Sequence, residues 1–564
     1  MRSIFILSLV GSALAHFYLD VHLKHSNLDT LEKNFWDIAT PGSDSYLKFL
    51  SRDDVATIIG ASETDLASIK NWLKNAGGFD ITTSAIRDTV TATFAGAPSV
   101  LKMGRNGIPH KESHPACVEF IVRRNPRESD TSKLADAKRV PRHSKDTLGL
   151  TADSPDYSVS NIKEAYGIPT DLQATNDATT QMVWGPGTFG YSETYLAKFK
   201  HEQAPLINMD KIVFATENHG EPGGDNFMEG QLDVDMISAF GLNVTTMVSN
   251  TNTSASTEET TGFGAALLDF LTELAAREVV PHVLSMSLGS LSAASCDYLC
   301  TQAVTMGHTL EECQDYMETQ RQVCMYLSQE QTAAISTAMQ VLGARGVTIL
   351  GSSGDGGSHF SFMPFTPAQG DNGMADDLNT ISCSHQIPVF PTASPYIVSI
   401  GGEMWDGDSA HPITWASYPY GSGGGVSIQF DMPEHQKKTV AEYLAKPNMP
   451  PAESYDATKR FYPDISALGV SGTSQSCPIL GGIFATLIDM RLNAGLPPLG
   501  FVAPRIYKVA EDFPGEAFED IIGGNSGLAC GDEGGFPASE GWDANTGFGR
   551  PVWVGMVKYF ASDY

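Results

Sequence analysis

Positive charge is scarce in this sequence, and long apolar segments are missing. Among 564 residues, 36 are lysine or arginine and 66 are aspartate or glutamate, which gives a formal net charge of −30. Nucleic acids and anionic membranes bind positively charged surfaces, so we expect neither as a general partner. No uncharged apolar run reaches the about 18 residues that a membrane-spanning helix requires. With 41% hydrophobic residues, the chain can form a large core.

The N-terminus and the cysteines both indicate an oxidising compartment. Arg2 precedes the apolar residues 4–10, and the small residues 13–15 follow them. This order predicts a cleavable signal peptide over residues 1–15, with a buried first strand as the alternative. Eight cysteines fit a secreted protein, because disulfides form and persist outside the cytosol.

Charge is distributed unevenly along the rest of the chain. Residues 16–148 contain 18 basic and 17 acidic residues and six of the 14 histidines, whereas residues 149–564 contain 17 basic and 49 acidic residues. The junction at residues 138–145 is basic, polar and proline-containing, as exposed cleavable linkers are. We predict a removable prosegment over residues 16–148, whose histidines gain charge in acid, and a mature domain over residues 149–564. An ordinary N-terminal domain is the alternative.

Secondary-structure patterns differ between these two parts. In the prosegment, an N-cap signal at Ser62 precedes an amphipathic helix and residues 89–94 alternate like a strand, which predicts a small α+β domain. The mature part alternates segments of helical periodicity with short apolar runs, at residues 212–215, 283–287, 346–350 and 396–400. This order predicts an α/β fold with a parallel sheet flanked by helices and functional loops at the strand ends.

The strongest local motif surrounds Ser474. Residues 470–478 have the sequence Val-Ser-Gly-Thr-Ser-Gln-Ser-Cys-Pro and lead into a long apolar helical segment. A turn of small residues would present one hydroxyl at the helix N-terminus, where free N–H groups favour the negative charge of a nucleophilic serine. Taken alone, the motif also fits an ordinary N-cap.

A serine nucleophile needs a base, and here the candidates are carboxylates. Glu229 and Asp233 are four residues apart, so they share one face of a helix. Two carboxylates this close resist ionising together, which raises one pKa and suits proton transfer in acid. A solvated acidic helix face is the alternative. The histidine motif of subtilisin-type enzymes is missing, and only His219 faintly resembles it. Asp355 lies in the glycine-rich loop 351–357. It is either a protonated acid that donates a hydrogen bond to an oxyanion or a residue that forms an Asx turn.

Together these motifs resemble the sedolisins, the acid-acting serine-carboxyl peptidases related to subtilisin, and most closely their tripeptidyl-peptidase branch. The resemblance extends over nearly the whole chain. Besides the motifs above, it rests on residues 157–169, 391–396, 401–402, 423–436 and 462–467. It implies a subtilisin-like fold preceded by a smaller α+β prosegment domain.

The resemblance also implies roles for individual residues. Ser474 would be the nucleophile, Glu229 the general base, Asp233 its partner and Asp355 the acid that stabilises the oxyanion. Substrate backbone would bind by β-augmentation to Ser287, Leu288 and Gly289. One calcium ion would bind near the C-terminus through the Asp520 and Asp543 carboxylates and the carbonyl oxygens of Ile521, Ser539 and Gly541.

The cysteines are only partly assigned in this way. The resemblance places Cys383 and Cys530 near a disulfide of animal members of the family. A cluster with three possible pairings, and with a zinc site as the rival, lies at positions 296, 300, 313 and 324. We expect Cys477 to be a buried free thiol.

Several positions depart from the family pattern. Gln475 stands where the family usually has alanine, and Glu403 and Arg550 stand where it usually has threonine. The link before Ser471 is also short, because residues 468–470 occupy the place of a strand and a turn. We interpret the short link either as a trimmed wall beside the substrate or as an altered gene prediction.

We therefore predict an acid-acting serine peptidase that is made as a zymogen and releases tripeptides from free N-termini of polypeptides. A sedolisin-type endopeptidase, a secreted non-catalytic homologue that keeps a peptide-binding groove, and a subtilase that uses His219 are the alternatives. The expected partners are polypeptide substrates and the chain's own prosegment, as intramolecular inhibitor or chaperone. Acid chemistry favours secretion or a lysosomal or vacuolar compartment.

Overall fold

The computed structural model describes residues 17–95, 115–124, 156–215, 227–251, 263–319, 324, 327–359, 365, 372–407, 411–417, 420–527, 530 and 535–563. The predicted signal peptide, the junction at residues 138–145 and His219 lie outside these residues. The chain divides into two compact units. Residues 17–28, 52–95 and 115–124 form the smaller unit, and residues 29–51 join the described residues from 156 onwards in the larger one.

The smaller unit is an antiparallel sheet with two helices. In chain order the elements of this region are β1 (Phe17–Leu23), α1 (Leu28–Ala39), α2 (Arg52–Ile59), α3 (Glu63–Asn75), β2 (Phe79–Thr83), β3 (Thr89–Phe94) and β4 (Val118–Arg124). The strand order is β2-β3-β1-β4. Ser62 caps α3 by accepting the Asp65 N–H at 3.1 Å. The small α+β domain predicted from the sequence is therefore confirmed.

Residues 29–51, which include most of α1, belong to the larger unit. Phe35 is fully buried, and its ring lies 5.0 Å from that of Phe501 and 5.4 Å from that of Tyr396. The Leu50 N–H donates to the Ala344 carbonyl at 2.9 Å. This part of the predicted prosegment thus packs into the core of the larger unit.

A mixed but mainly parallel sheet organises the larger unit. Its strands follow the order β13-β12-β10-β8-β5-β7-β6, and β18 also pairs with β12. Only β13 runs antiparallel to its neighbour in this sheet. All strands of the larger unit, including those of four separate two-stranded sheets in the described residues, are β5 (Thr180–Pro186), β6 (Ile212–Phe214), β7 (Thr245–Thr251), β8 (Val283–Met286), β9 (Ser290–Leu291), β10 (Thr348–Ser352), β11 (Val389–Phe390), β12 (Val398–Trp405), β13 (Pro412–Thr414), β14 (Ala416–Ser417), β15 (Tyr420–Gly421), β16 (Gly425–Asp431), β17 (Lys459–Tyr462), β18 (Ile465–Leu468), β19 (Phe518–Glu519) and β20 (Arg550–Pro551).

Helices flank this sheet and make up much of the rest of the larger unit. They are α4 (Val159–Tyr166), α5 (Glu193–Glu202), α6 (Phe227–Phe240), α7 (Phe263–Ala276), α8 (Ala293–Thr305), α9 (Leu310–Thr319), α10 (Gln329–Ala344), α11 (Met374–Ser384), α12 (Lys437–Leu444), α13 (Thr473–Asn493), α14 (Ala503–Asp512) and α15 (Trp553–Phe560). The four apolar runs predicted as strands contribute to β6, β8, β10 and β12, which confirms the α/β fold. Among the described helices, none is long and apolar enough to cross a membrane.

Close packing of α6 against α13 brings the two motif-bearing helices together. A Cβ atom on Gly482 of α13 would lie only 2.4 Å from the Gly241 nitrogen at the end of α6. Glycine is therefore required there, because any larger residue would push the helices apart. Helix α6 carries Glu229 and Asp233, and helix α13 carries Ser474.

Three disulfides stabilise the larger unit. Cys383 pairs with Cys530, as the resemblance implies. The cysteine cluster forms two disulfides rather than a zinc site, and its pairs are Cys296–Cys324 and Cys300–Cys313. Cys477 is a buried free thiol, as expected.

Candidate active site

Ser474 lies at the start of α13, where the chain leaves the sheet. The helix begins at Thr473, and the preceding Gly472 has a φ of +92°, which favours glycine. A Cβ atom on Gly472 would also lie 2.6 Å from Asp355 Oδ2. Gly472 of the Gly-Thr-Ser motif is therefore needed both for the turn and for the close approach of the Asp355 carboxyl.

The hydrogen-bond partners of Ser474 are a carboxyl and a backbone carbonyl. Its Oγ donates its one proton to the Ser287 carbonyl at 3.2 Å, and the Glu229 carboxyl lies within hydrogen-bonding reach of the same hydroxyl. In the part of the chain that the structure describes, no imidazole hydrogen-bonds to Ser474. The arrangement thus joins the serine to the acidic pair.

Glu229 and Asp233 lie one turn apart on α6, as the spacing predicts. Asp233 is fully buried, and its Oδ1 accepts the Ser287 hydroxyl at 2.8 Å. Burial raises the pKa of Glu229 to about 7, although its hydrogen bond to Ser474 opposes this. Burial and the nearby Glu229 carboxyl raise the pKa of Asp233 well above its ordinary range. Two carboxyls in one desolvated space therefore hold protons that exposed carboxyls would lose.

The Ser287 side chain connects the acidic pair to the serine helix. Pro478 lacks an N–H group, so the Ser474 carbonyl loses the helical partner that residue 478 would supply. The Ser287 hydroxyl lies 3.3 Å from this carbonyl oxygen and 2.8 Å from Asp233 Oδ1. Sequence reasoning assigned only a backbone role to Ser287 and missed this contact, because Ser287 and Asp233 are 54 residues apart.

Asp355 follows β10, and Ser287 follows the neighbouring parallel strand β8. The carboxyl ends of parallel strands lie at one edge of a sheet, which is a usual position for a site. Asp355 Oδ1 accepts both the Thr473 N–H and the Thr473 hydroxyl, each at 2.8 Å. Burial raises the Asp355 pKa despite these bonds. Since Oδ1 is engaged as an acceptor, a proton on this carboxyl belongs on Oδ2.

The predicted substrate-binding residues form the connection between β8 and β9. Ser287 is buried, Leu288 is half-buried and Gly289 is exposed. A Cβ atom on Gly289 would lie 2.6 Å from Val389 Cγ1 and 2.9 Å from the Phe390 carbonyl oxygen. The absence of a side chain therefore keeps this segment close to β11.

The predicted calcium ligands are gathered near the C-terminus. Asp520 Oδ2 accepts the Gly541 N–H at 2.6 Å, whereas its buried Oδ1 has no hydrogen-bond partner. Asp543 Oδ2 accepts the Ser539 N–H at 3.0 Å. An unpartnered buried carboxylate oxygen fits a cation, and Ile521 lies next to Asp520 in the chain. Among the described residues, no group of three His, Cys, Asp or Glu side chains could hold a metal, so carbonyl oxygens or water would complete the ligand set.

Known proteins resemble this chain over most of its length. Residues 12–97 match the family described as Pro-kumamolisin, activation domain. The chain is 25% identical to tripeptidyl-peptidase 1 of Canis lupus familiaris and 26% identical to that of Rattus norvegicus, over 95% of this chain and 90% of each relative. The solved structure of Pseudomonas sedolisin (serine-carboxyl proteinase), complexed with two molecules of pseudo-iodotyrostatin, matches with a TM-score of 0.49 and 20% identity, over 72% of this chain and 98% of that chain.

Proposed function

Because the chain belongs to the sedolisin family of serine-carboxyl peptidases, in its tripeptidyl-peptidase branch, we propose that it removes tripeptides from free N-termini in acid. It is a serine-type peptidase, and the observation that carries the proposed chemistry is the position of the Glu229 carboxyl beside Ser474, with the buried Asp233 carboxyl next to Glu229. Release of tripeptides, rather than internal cleavage, is the activity named for the relatives and is proposed here on that basis.

In the proposed reaction, Ser474 Oγ attacks the carbonyl carbon of the scissile bond while Glu229 accepts the hydroxyl proton. The carbonyl oxygen becomes an oxyanion, to which a proton on Asp355 Oδ2 and a backbone N–H donate hydrogen bonds. Glu229 then transfers its proton to the leaving amine as the C–N bond breaks. Water attacks the acyl-enzyme with Glu229 again as base, and Ser474 regains its proton when the ester bond breaks.

The same geometry supports catalytic activity at acidic pH. Asp355 must be protonated to donate to an oxyanion, and its raised pKa favours this form. The Asp355 charge is also one cause of the raised Glu229 pKa, after burial. Protonation of Asp355 therefore removes that cause and makes Glu229 easier to ionise. Activity should fall as the pH rises and Asp355 loses its proton.

The N-terminal region acts as an intramolecular partner. An activation domain precedes the peptidase, so the chain is made as a zymogen with its own prosegment as inhibitor. We propose the boundaries 16–148 for the prosegment and 149–564 for the peptidase domain. The three disulfides support secretion or delivery to a lysosomal or vacuolar compartment, because disulfides persist outside the cytosol.

Calcium is proposed as a structural ion rather than a participant in the reaction. The carboxylates of Asp520 and Asp543 and the carbonyl oxygens of Ile521, Ser539 and Gly541 would hold it. A bound ion would neutralise the half-buried Asp520 and the buried Asp543 carboxylates, which otherwise repel each other, as the effect of Asp520 on the Asp543 pKa indicates. Its contribution would be to the stability of the folded chain.

Time-resolved mass spectrometry at about pH 4 tests the proposed activity. Two peptides of identical sequence, one with a free and one with an acetylated N-terminus, are incubated with processed enzyme and with the Ser474→Ala variant. The proposal expects successive tripeptides from the free peptide alone, and no products from the variant. Internal cleavage of both peptides would instead identify an endopeptidase.

A further inference from the structure

The short link before the nucleophile is tied down by specific hydrogen bonds. Strand β18 ends at Leu468 and α13 begins at Thr473, so residues 469–472 alone connect them. The Gly469 N–H donates to the Glu403 carbonyl at 2.9 Å, and the Gly472 N–H donates to the Gly469 carbonyl at 2.9 Å. The link is therefore an ordered turn.

The Tyr166 hydroxyl lies beside the end of β18, where it binds a backbone N–H that a further strand could otherwise bind. Strand β18 pairs with β12, and Leu468 stands opposite Glu403 in that register. The Leu468 N–H is not bonded to β12 and donates instead to the Tyr166 hydroxyl at 2.7 Å. Tyr166 is fully buried at the end of α4. Its oxygen thus satisfies a backbone donor that would otherwise be unpaired in the core.

The two departures from the family pattern at Glu403 and Arg550 meet behind this tyrosine. The Tyr166 hydroxyl donates to Glu403 Oε1 at 3.0 Å, which directs its lone pairs toward Leu468. Arg550 Nη1 lies 3.8 Å from the same Glu403 oxygen, and its guanidinium lies 5.9 Å from the centre of the Tyr166 ring. Arg550 also binds Glu519, whereas the buried Glu403 carboxyl would lose this nearby cation if Arg550 were absent.

The third departure, Gln475, acts on the other end of the link. Its side chain is buried, and its Oε1 accepts the Ser471 N–H at 3.1 Å. Alanine at this position could not accept that bond. All three unusual residues are therefore in contact with the short link or with the tyrosine that holds it.

We propose that Tyr166 and Gln475, with Glu403 and Arg550 behind Tyr166, are positioning residues that hold the short link so that Ser474 stays within reach of Glu229. The inference rests on Ser474 being the nucleophile. These side chains take over the support that a longer segment would supply. On this proposal the short link is compensated by the side chains around it.

Steady-state kinetics of conservative variants test this role. Gln475→Met keeps the size of the side chain but removes the acceptor, whereas Gln475→Glu keeps an acceptor oxygen. Tyr166→Phe removes only the hydroxyl. The matched control is Gln331→Met, because Gln331 Oε1 accepts the Ser328 N–H at 2.9 Å at the start of a different helix, α10. Processed enzyme is assayed with a tripeptide amide of a fluorescent amine, and Ser474→Ala is measured in parallel.

We expect kcat to fall about 10- to 100-fold in Gln475→Met and Tyr166→Phe with KM nearly unchanged, since small displacements of a nucleophile reduce the rate of bond formation. Gln475→Glu should restore most of kcat, and Gln331→Met should match the wild type. Equal losses in Gln475→Met and Gln475→Glu, or a wild-type kcat in Tyr166→Phe, would overturn the inference. If Gln475→Met does not fold, Tyr166→Phe decides. Activity in Ser474→Ala would instead refute the proposed nucleophile.

Discussion

Replacing Glu403 with glutamine should change how the stability of the protein depends on pH. The Glu403 side chain is 0% exposed. Arg550 Nη1 lies 3.8 Å away, but Arg550 Nε and Nη2 bind Glu519 at 2.9 and 2.8 Å, so only part of its charge acts on Glu403. Burial consequently outweighs the attraction of Arg550 and raises the pKa of Glu403 from 4.5 to about 7.

The size and sign of the effect follow from the difference between the ordinary pKa of Glu403 and its pKa in the folded protein. A carboxyl whose pKa is higher in the folded state stabilises the fold while it is protonated. Its contribution is complete below about pH 4.5 and is lost as the pH rises through about 7. At roughly 1.4 kcal/mol per pH unit, the loss amounts to about 3 kcal/mol in the free energy of unfolding. Glutamine cannot ionise, so Glu403→Gln removes this loss.

Urea unfolding followed by tryptophan fluorescence measures the effect. Both proteins carry Ser474→Ala to prevent self-cleavage, and stability is measured at intervals from about pH 4 to about pH 8. We expect the free energy of unfolding of Glu403→Gln, relative to that of the parent, to rise by about 3 kcal/mol across this range. The exposed Glu453, changed to glutamine, serves as the control. A difference between Glu403→Gln and the parent that does not change with pH would refute the reasoning.

Three further predictions concern processing, calcium and a disulfide. On acidification, the zymogen should cut itself near residues 142–150, and gel analysis should show no cleavage in Ser474→Ala. Chelation of calcium should lower the thermal unfolding midpoint of the parent but not of Asp543→Asn, and equal shifts in both would exclude the proposed ligands. Replacing both Cys383 and Cys530 with serine should lower the free energy of unfolding by about 3–5 kcal/mol, because the disulfide closes a loop of 147 residues. An unchanged urea midpoint would contradict this last expectation.

Local features of the site were predictable from the sequence because they depend on short spacings. Glu229 and Asp233 share a helix face through the helical repeat alone, and the small residues before α13 fit the turn that presents Ser474. Apolar runs bounded by turns likewise predicted β6, β8, β10 and β12. In each case the determining contacts lie within a few residues of one another.

Long-range pairings could not be predicted in this way. The bond from Leu468 to Tyr166 joins residues 302 apart, and nothing in the local sequence around Tyr166 indicates it. Glu403 and Arg550 each looked like an isolated departure, although each lies within reach of the other in the fold. The packing of residues 29–51 into the larger unit was missed for the same reason, since composition assigns them to the prosegment.

The central claim is that carboxyls rather than an imidazole activate Ser474, and covalent labelling tests it most directly. A fluorophosphonate probe is added at about pH 4 to the wild type, Glu229→Gln and His219→Ala, and intact-protein mass spectrometry follows the adduct, which peptide mapping locates. We predict one adduct on Ser474 in the wild type and in His219→Ala at similar rates, and a rate at least about 100-fold lower in Glu229→Gln. Fast labelling of Glu229→Gln together with loss of labelling in His219→Ala would contradict the account.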